Sequence, residues 1–459
     1  MTEDLNAFMK SENERVMRNR FFEKVYNILS NEKQYQKPGD KIGLELEVQI
    51  VDKKTLELAE EKVRDFLCKY DDSKFDKELG SSQLEIRTPP IKISAGLEGL
   101  EQILRDIVNE GKQFLEKEFD SQYGFLMQGS HPLANVSNVS RTKADKYKIV
   151  PSFHNDFKGK YIDTLIGNSE LIDVKDAGVI SLMSSIQCNL EAKDFTDAID
   201  KMNRSFTIGN YVSAITSNAR FLDGKDSGLA DVRMVTWEKS HDVRTPDQLA
   251  REEVLRIGLP NDYDQNINQY FERVGSQPFI LNKEEHRERC FEIGISLNWN
   301  DTRIKFNRDK KEVLVEFRPV STQPTIEENI AAMGFYMGLL QYSQTNQEPL
   351  LPMTLVRKNR QEVMDKGLKS RVYFLTGDGN LRIDFVKNVL PEEFKKAYFG
   401  LELLGFERNS IDKYIGLMEK RLTESTPADQ FASAVYKNMN SESMLQAIVK
   451  AVHEKKLVI

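Results

Sequence analysis

The sequence predicts an α+β protein organised on one sheet, and three observations predict it. Four segments, 41–50, 83–87, 179–190 and 312–319, alternate between apolar and polar side chains, the period of a strand with one buried face. Long stretches beside them, 95–119 above all, repeat their apolar residues at helical spacing. The polar faces of the strands carry Glu, Gln and Asn from the first strand to the last, which points to one ligating concave surface.

Taken in order, residues 1–35 read as helix, with Phe8, Val16, Phe21, Val25 and Leu29 among the apolar positions, and Pro38-Gly39-Asp40 breaks the chain. In 41–50, Leu44, Leu46, Val48 and Ile50 point one way and Glu45, Glu47 and Gln49 the other. The two carboxylates therefore stand side by side. A helix-like segment follows at 62–70. In 83–87, Gln83, Glu85 and Arg87 share a face, and Pro89-Pro90 ends the strand because proline donates no amide. Glu78 precedes Glu85 across a Gly-Ser-Ser turn that can return it to the same place.

Residues 95–119 form an amphipathic helix, 123–128 a strand and 129–132 a loop; 135–167 is polar and loop-rich, with Arg141, Tyr147 and His154 inside it. At 179–190 the polar face carries Gln187 and Asn189, and Asp194 caps a helix running to about 213. The stretch 217–237 is glycine-rich and polar, as ligand-touching loops are. Helices and connectors fill 240–285, a strand is expected at 292–298, and Trp299-Asn-Asp-Thr-Arg303 follows. The last strand, 312–319, sets Glu316 and Arg318 opposite Val313, Val315 and Phe317. Pro324 and two glutamates open a helix continuing through 331–342, and 391–459 reads as helical and highly charged.

The chain's 459 residues suggest more than one domain: 1–345 around the sheet, and a mainly helical extension, 346–459, packed on it as a lid or an oligomer contact. Hydrophobic content of 39% is ample for a core, and the net charge of −7 offers no attraction to nucleic acid or to an anionic membrane. The expected partners are small molecules, with homo-oligomers of the chain as the protein partner. Residues 1–19 lack the apolar segment of a secretory signal, and the run 331–340 is far short of the ~20 residues of a spanning helix. Three isolated cysteines read as free thiols in a reducing compartment, so a cytoplasmic location is expected. The histidines show no zinc spacing.

Singly, a Glu-x-Glu is explained by a wet sheet face, and Glu85/Arg87 or Glu316/Arg318 by ion pairs across strands. Jointly, four strands with acids or amides on one face suggest convergence on cations. Oxygen donors without His or Cys suit Mg²⁺ or Mn²⁺. The carboxylates are more than one Mg²⁺ takes, so two or three ions bridging a nucleoside triphosphate are expected, with arginines facing the transferred phosphoryl group. Neither G-x-x-x-x-G-K-S/T nor G-x-G-x-x-G occurs. Cys188 reads as a core residue, His131 as a turn residue, and Trp237 and Trp299 as packing. Arg233 has a plain reading as an ion-pair partner of Asp226 or Asp231.

These residues carry a resemblance. The chain resembles the glutamate–cysteine ligase family of the second type, which includes bacterial carboxylate–amine ligases. The matching pieces are Gly43-Leu-Glu-Leu-Glu47, Gln83-Leu-Glu-Ile-Arg-Thr88, Gly129-Ser-His-Pro132, Ser185-Ile-Gln-Cys-Asn189, residues 217–228 with Arg233, and Val315-Glu-Phe-Arg318, over about 40–340. The resemblance implies a glutamine-synthetase-like curved, mainly antiparallel sheet forming a funnel with helices outside. It implies ATP-dependent phosphorylation of the γ-carboxylate of glutamate, then attack by an amine, cysteine or another. Glu45, Glu47, Glu78, Glu85 and Glu316 would hold the metal ions, and Arg318 would face the phosphoryl group. Arg233 would bind carboxylate or phosphate, and Gln187, Asn189, Arg220 and Arg303 would line the nucleotide or substrate pocket. Two departures bear on the amine. Gln187 stands where the family usually has histidine, and Ser217-Asn-Ala-Arg-Phe221 replaces an Ala-Asn-Ser-Pro-Phe type of sequence, bringing Arg220 near the pocket. A non-catalytic nucleotide- or amino-acid-binding protein on this fold is the alternative that Gln187 favours. Residues 345–459 show no clear counterpart in the family.

Overall fold

The computed structural model describes residues 5–254 and 256–459, so the first four residues of the helix expected over 1–35 lie outside the description. The sheet is built from β1 (Lys41–Asp52), β2 (Phe75–Lys77), β3 (Gln83–Arg87), β4 (Ile91–Lys92), β5 (Tyr123–Leu126), β6 (Ser185–Glu191), β7 (Thr302–Asn307) and β8 (Glu312–Ser321). Their order is β7-β8-β6-β1-β3-β2, with β4 and β5 also paired to β1. Each of these pairings is antiparallel, and the sheet is strongly curled.

The two faces of β1 decide which side of the sheet is covered. Leu44, Leu46, Val48 and Ile50 are 0–1% exposed and pack beneath helices, as the alternation requires. The helices on that side include α1 (Gly96–Glu118), α2 (Phe195–Thr216) and α3 (Ile326–Thr345). Asp194 caps α2 by accepting from the Asp197 amide, and Thr325 caps α3. The concave side is left to the polar residues.

α3 is apolar on nearly every side because it is sandwiched. Below it lies the sheet, where the Tyr336 and Phe317 rings stack at 3.8 Å. Above it lies α4 (Val386–Leu403), so close that a Cβ on Gly338 or Gly400 would collide with the other helix's backbone. Helices of the 346–459 region thus share one hydrophobic core with the sheet. The last residues return as well: Ile459 exchanges both backbone hydrogen bonds with Phe125 of β5.

Several elements differ from the expectation. The strand at 292–298 is instead a helix, Cys290–Ser296. Its apolar residues alternate because Phe291, Ile293 and Ile295 are all buried, Phe291 stacked on Phe21 of the N-terminal helix Glu12–Ser30 and Gly294 packed on the same ring. The true strand is β7, ten residues later. The loop-rich 135–167 contains the helix Asp145–Phe157, on which Tyr147, Val150, Pro151 and His154 follow helical spacing. Residues 177–182 form a 3₁₀ turn before β6, and Val232–Ser240 is a helix emerging from the glycine-rich loop. A hairpin, Arg371–Leu375 with Leu381–Phe385, interrupts the C-terminal helices.

Candidate active site

Strand register assembles the site. Glu45 of β1 lies across from Gln187 on one side and Arg87 on the other, and Glu47 lies across from Glu85. Glu316 of β8 lies across from Asn189 and from Arg303. Between Phe317 and Val320 the ladder slips, because Pro319 has no amide to donate. Arg318 sits at that irregularity and reaches the same hollow. A cavity of about 350 Å³ is lined by Glu45, Glu47, Glu78, Glu85, Gln187, Arg303, Lys305 and Arg318, with Trp237, Trp299 and Tyr147 in its walls.

Charge is segregated within it. Glu47, Glu78 and Glu85 can each turn a carboxylate oxygen to within 4.8 Å of the others. Glu78 comes from the turn after β2, which the buried Arg64 fastens by donating to the Gly80 carbonyl at 2.8 Å. Burial first, and then the charge of Glu47, push the Glu78 carboxyl up to about 7. Burial and the neighbouring Glu45, Glu78 and Glu47 raise that of Glu85 well above the usual range. Three oxygen donors repelling one another at this spacing fit a hard divalent cation.

Glu316 belongs to the opposite pole. It is fully buried; its carboxylate accepts from Lys305 at 2.8 Å, from Arg318 at 2.6 Å and from Arg303. Burial opposes its charge, but the three cations outweigh that and hold its carboxyl well below the usual range. Three cations converge on Glu316, and it is not among the carboxylates that approach one another in the triad. Glu45 is intermediate, bonded to Lys305 at 3.0 Å and to Asn189 at 3.2 Å.

Gln187 joins the poles. Its amide donates to Glu47 Oε1 at 2.9 Å, and its carbonyl oxygen accepts from Arg318 at 2.7 Å. That oxygen accepts from a guanidinium, so Gln187 bridges a carboxylate and an arginine. Asn189 lines an adjoining cavity of about 230 Å³ that shares Glu45, Arg87 and Lys305 with the first.

Two residues lie elsewhere. Arg233 is buried outside the cavity lining, donating to Ser321 Oγ at 3.3 Å and to the Arg318 carbonyl at 3.0 Å. It supports the bulge that carries Arg318. Arg220 does not line the cavity; its fork closes on buried Asp226 at 2.8 Å and on Asp429 at 3.2 Å, fastening the helix Pro427–Asn438. Asp226 is satisfied by that fork and by the Tyr436 hydroxyl, which is why Arg220 cannot swing inward. His131 is a buried turn residue: Nδ1 accepts from the Leu133 and Ala134 amides, and burial pushes its pKa down to about 4. Cys68, Cys188 and Cys290 are free and buried.

Sequence reasoning missed Lys305 and Lys146. Lys305 alternates with Arg303 on β7, a signal hidden by placing the strand too early. Lys146, on the cavity rim, begins the helix read as loop.

A curled antiparallel sheet with helices outside and an acid-and-cation hollow within is the glutamine-synthetase-like ligase fold. Solved structures share it. The chain aligns with glutamate–cysteine ligase from Francisella tularensis in complex with AMP at a TM-score of 0.59 and 13% identity, over 92% of this chain and 89% of that one. It aligns with a bifunctional glutathione synthetase from Pasteurella multocida at 0.57 and 13%, over 95% of this chain and 54% of that one. No curated protein matches the chain. The family model of glutamate–cysteine ligase family 2 matches residues 41–444, and the chain belongs to that family. The match runs through the C-terminal helices, beyond the 40–340 span of the short motifs.

Proposed function

We propose that the chain is an ATP- and Mg²⁺-dependent ligase that joins the γ-carboxylate of glutamate to an amine, with cysteine as the acceptor. The observation that carries this is the opposition of the Glu47–Glu78–Glu85 triad to Arg318, Arg303 and Lys305 across one cavity. Mg²⁺ would be held by the triad, with Glu45 at its edge, and supplies charge neutralisation along the polyphosphate. Arg318 offers its guanidinium donors to the transferred phosphoryl oxygens, and Lys305 adds a second cation on that side. A γ-carboxylate oxygen attacks the terminal phosphorus and ADP leaves. The amine nitrogen then attacks the acyl carbon, phosphate departs, and the nitrogen's proton passes to solvent. Trp237, Trp299 and Leu281 keep water from the acyl phosphate.

The test is ADP release with glutamate and a panel of amino acids and amines. Cysteine should give the highest rate, and Glu47→Gln should abolish release without loss of fold. A different preferred amine would replace the acceptor. Full turnover in Glu47→Gln, or ATP binding without ADP release under any acceptor, would overturn the reading. Glu316→Gln is not an equivalent test, because removing a fully buried carboxylate that holds three cations costs on the order of 3–5 kcal/mol of stability.

A further inference from the structure

A second cavity, of about 310 Å³, lies behind the first, and the two share no lining residue. The partition between them is made of four rings. Trp237 and Trp299 face the acidic cavity, while His154 and His241 line the second. The ring centroids are 5.1 Å apart for Trp237 and His241, 5.7 Å for His154 and Trp299, and 4.3 Å for the two histidines.

The second cavity holds donors that the protein leaves unmatched. Arg256 is 5% exposed and its guanidinium lies 5.7 Å from the Trp299 ring centroid; among the described residues two of its five N–H groups have protein acceptors, the Leu297 carbonyl at 3.3 Å and the Pro278 carbonyl at 2.5 Å. Among the described residues no carboxylate forms an ion pair with it; Glu14 acts on it only at longer range. A buried guanidinium without a carboxylate is costly and is satisfied by an incoming anion. His241 is 2% exposed, and its Nε2 is buried without a hydrogen-bond partner. Ser240 Oγ lies 2.8 Å from Nδ1; a hydroxyl proton donated there leaves the ring proton on Nε2, a donor. The acids of this cavity are already engaged, Glu238 by Arg360 and Asp242 by Arg244. Phe153, Val243, Val254 and Pro278 supply apolar wall.

We propose that this cavity binds a small monocarboxylate, its oxygens on the N–H groups of Arg256 that have no protein acceptor, its short carbon chain along Phe153 and Pro278, and the His241 ring in its wall. The site is separate from the reaction proposed above, and its test runs without nucleotide, Mg²⁺ or glutamate.

The chain's two tryptophans both stand in the partition, so intrinsic fluorescence reports on it. Titration with sodium propionate should change the emission and saturate, whereas propionamide and sodium chloride at matched concentration should not. Arg256→Gln should weaken the propionate response about tenfold or more, with circular dichroism confirming the fold. If that variant does not fold, Val254→Phe narrows the cavity from its wall and should abolish the response. Equal responses to propionate and propionamide, a titration that never saturates, or a response surviving Val254→Phe would overturn the proposal. The last outcome would put the propionate in the acidic cavity.

Discussion

Gln187 illustrates how one side chain can couple two charged halves of a site. Its amide donates to Glu47 and its oxygen accepts from Arg318, so one side chain spans both halves. Gln187→Ala should leave the fold intact and raise the Mg²⁺ concentration needed for ADP release by about 10–100-fold, the usual effect of losing a partner that orients a ligand. Unchanged Mg²⁺ dependence would show that the bridge is incidental. At this scale the acidic residues were legible, because two-residue alternation on a strand dictates which side chains share a face. Glu78 was legible only as a suggestion, since a turn has no such period. Arg220 is drawn away from the hollow by Asp226, six residues on, and by Asp429, over two hundred residues away, which its sequence neighbourhood does not reveal.

Among the elements, helix α1 and the helix Arg408–Glu424 show how the C-terminal region is attached. Glu101 on α1 accepts from the Tyr414 hydroxyl at 2.7 Å and from Lys413 at 2.9 Å. Burial alone would raise the Glu101 carboxyl; these bonds, with one from Arg105, overcome it and hold the pKa down to about 2. The folded value lies below the ordinary 4.5, so the stabilisation is present above that pH and is lost as pH falls toward 2. Glu101→Gln should cost about 1–3 kcal/mol at neutral pH and flatten the fall in stability between these two values. Urea denaturation at stepped pH measures both, and parallel acid profiles would contradict the assignment. The elements that misled are instructive. Period two at 292–298 arose from a short helix with Phe291, Ile293 and Ile295 buried and only a narrow open side at Glu292 and Ser296, too short to display the 3.6-residue pattern that identifies a helix. The helix Asp145–Phe157 was hidden by its internal proline and by its many charges.

For the molecule as a whole, the sheet and its acidic face were readable from composition and alternation, and the family's motifs supplied the curl. The segregation of charge was not readable. Which carboxylate meets a cation depends on register and on a bulge at Pro319, and both arise only when six strands pair. Among the described residues no helix is long and apolar enough to cross a membrane. The proposed reaction requires that Glu47, Glu78 and Glu85 together grip a divalent cation. Mn²⁺ binding in the presence of a non-hydrolysable ATP analogue, followed by electron paramagnetic resonance, tests it directly. Wild-type protein should show saturable bound Mn²⁺, and Glu47→Gln, Glu78→Gln and Glu85→Gln should each weaken it by at least about tenfold. Binding indistinguishable from wild type in all three variants would contradict the account.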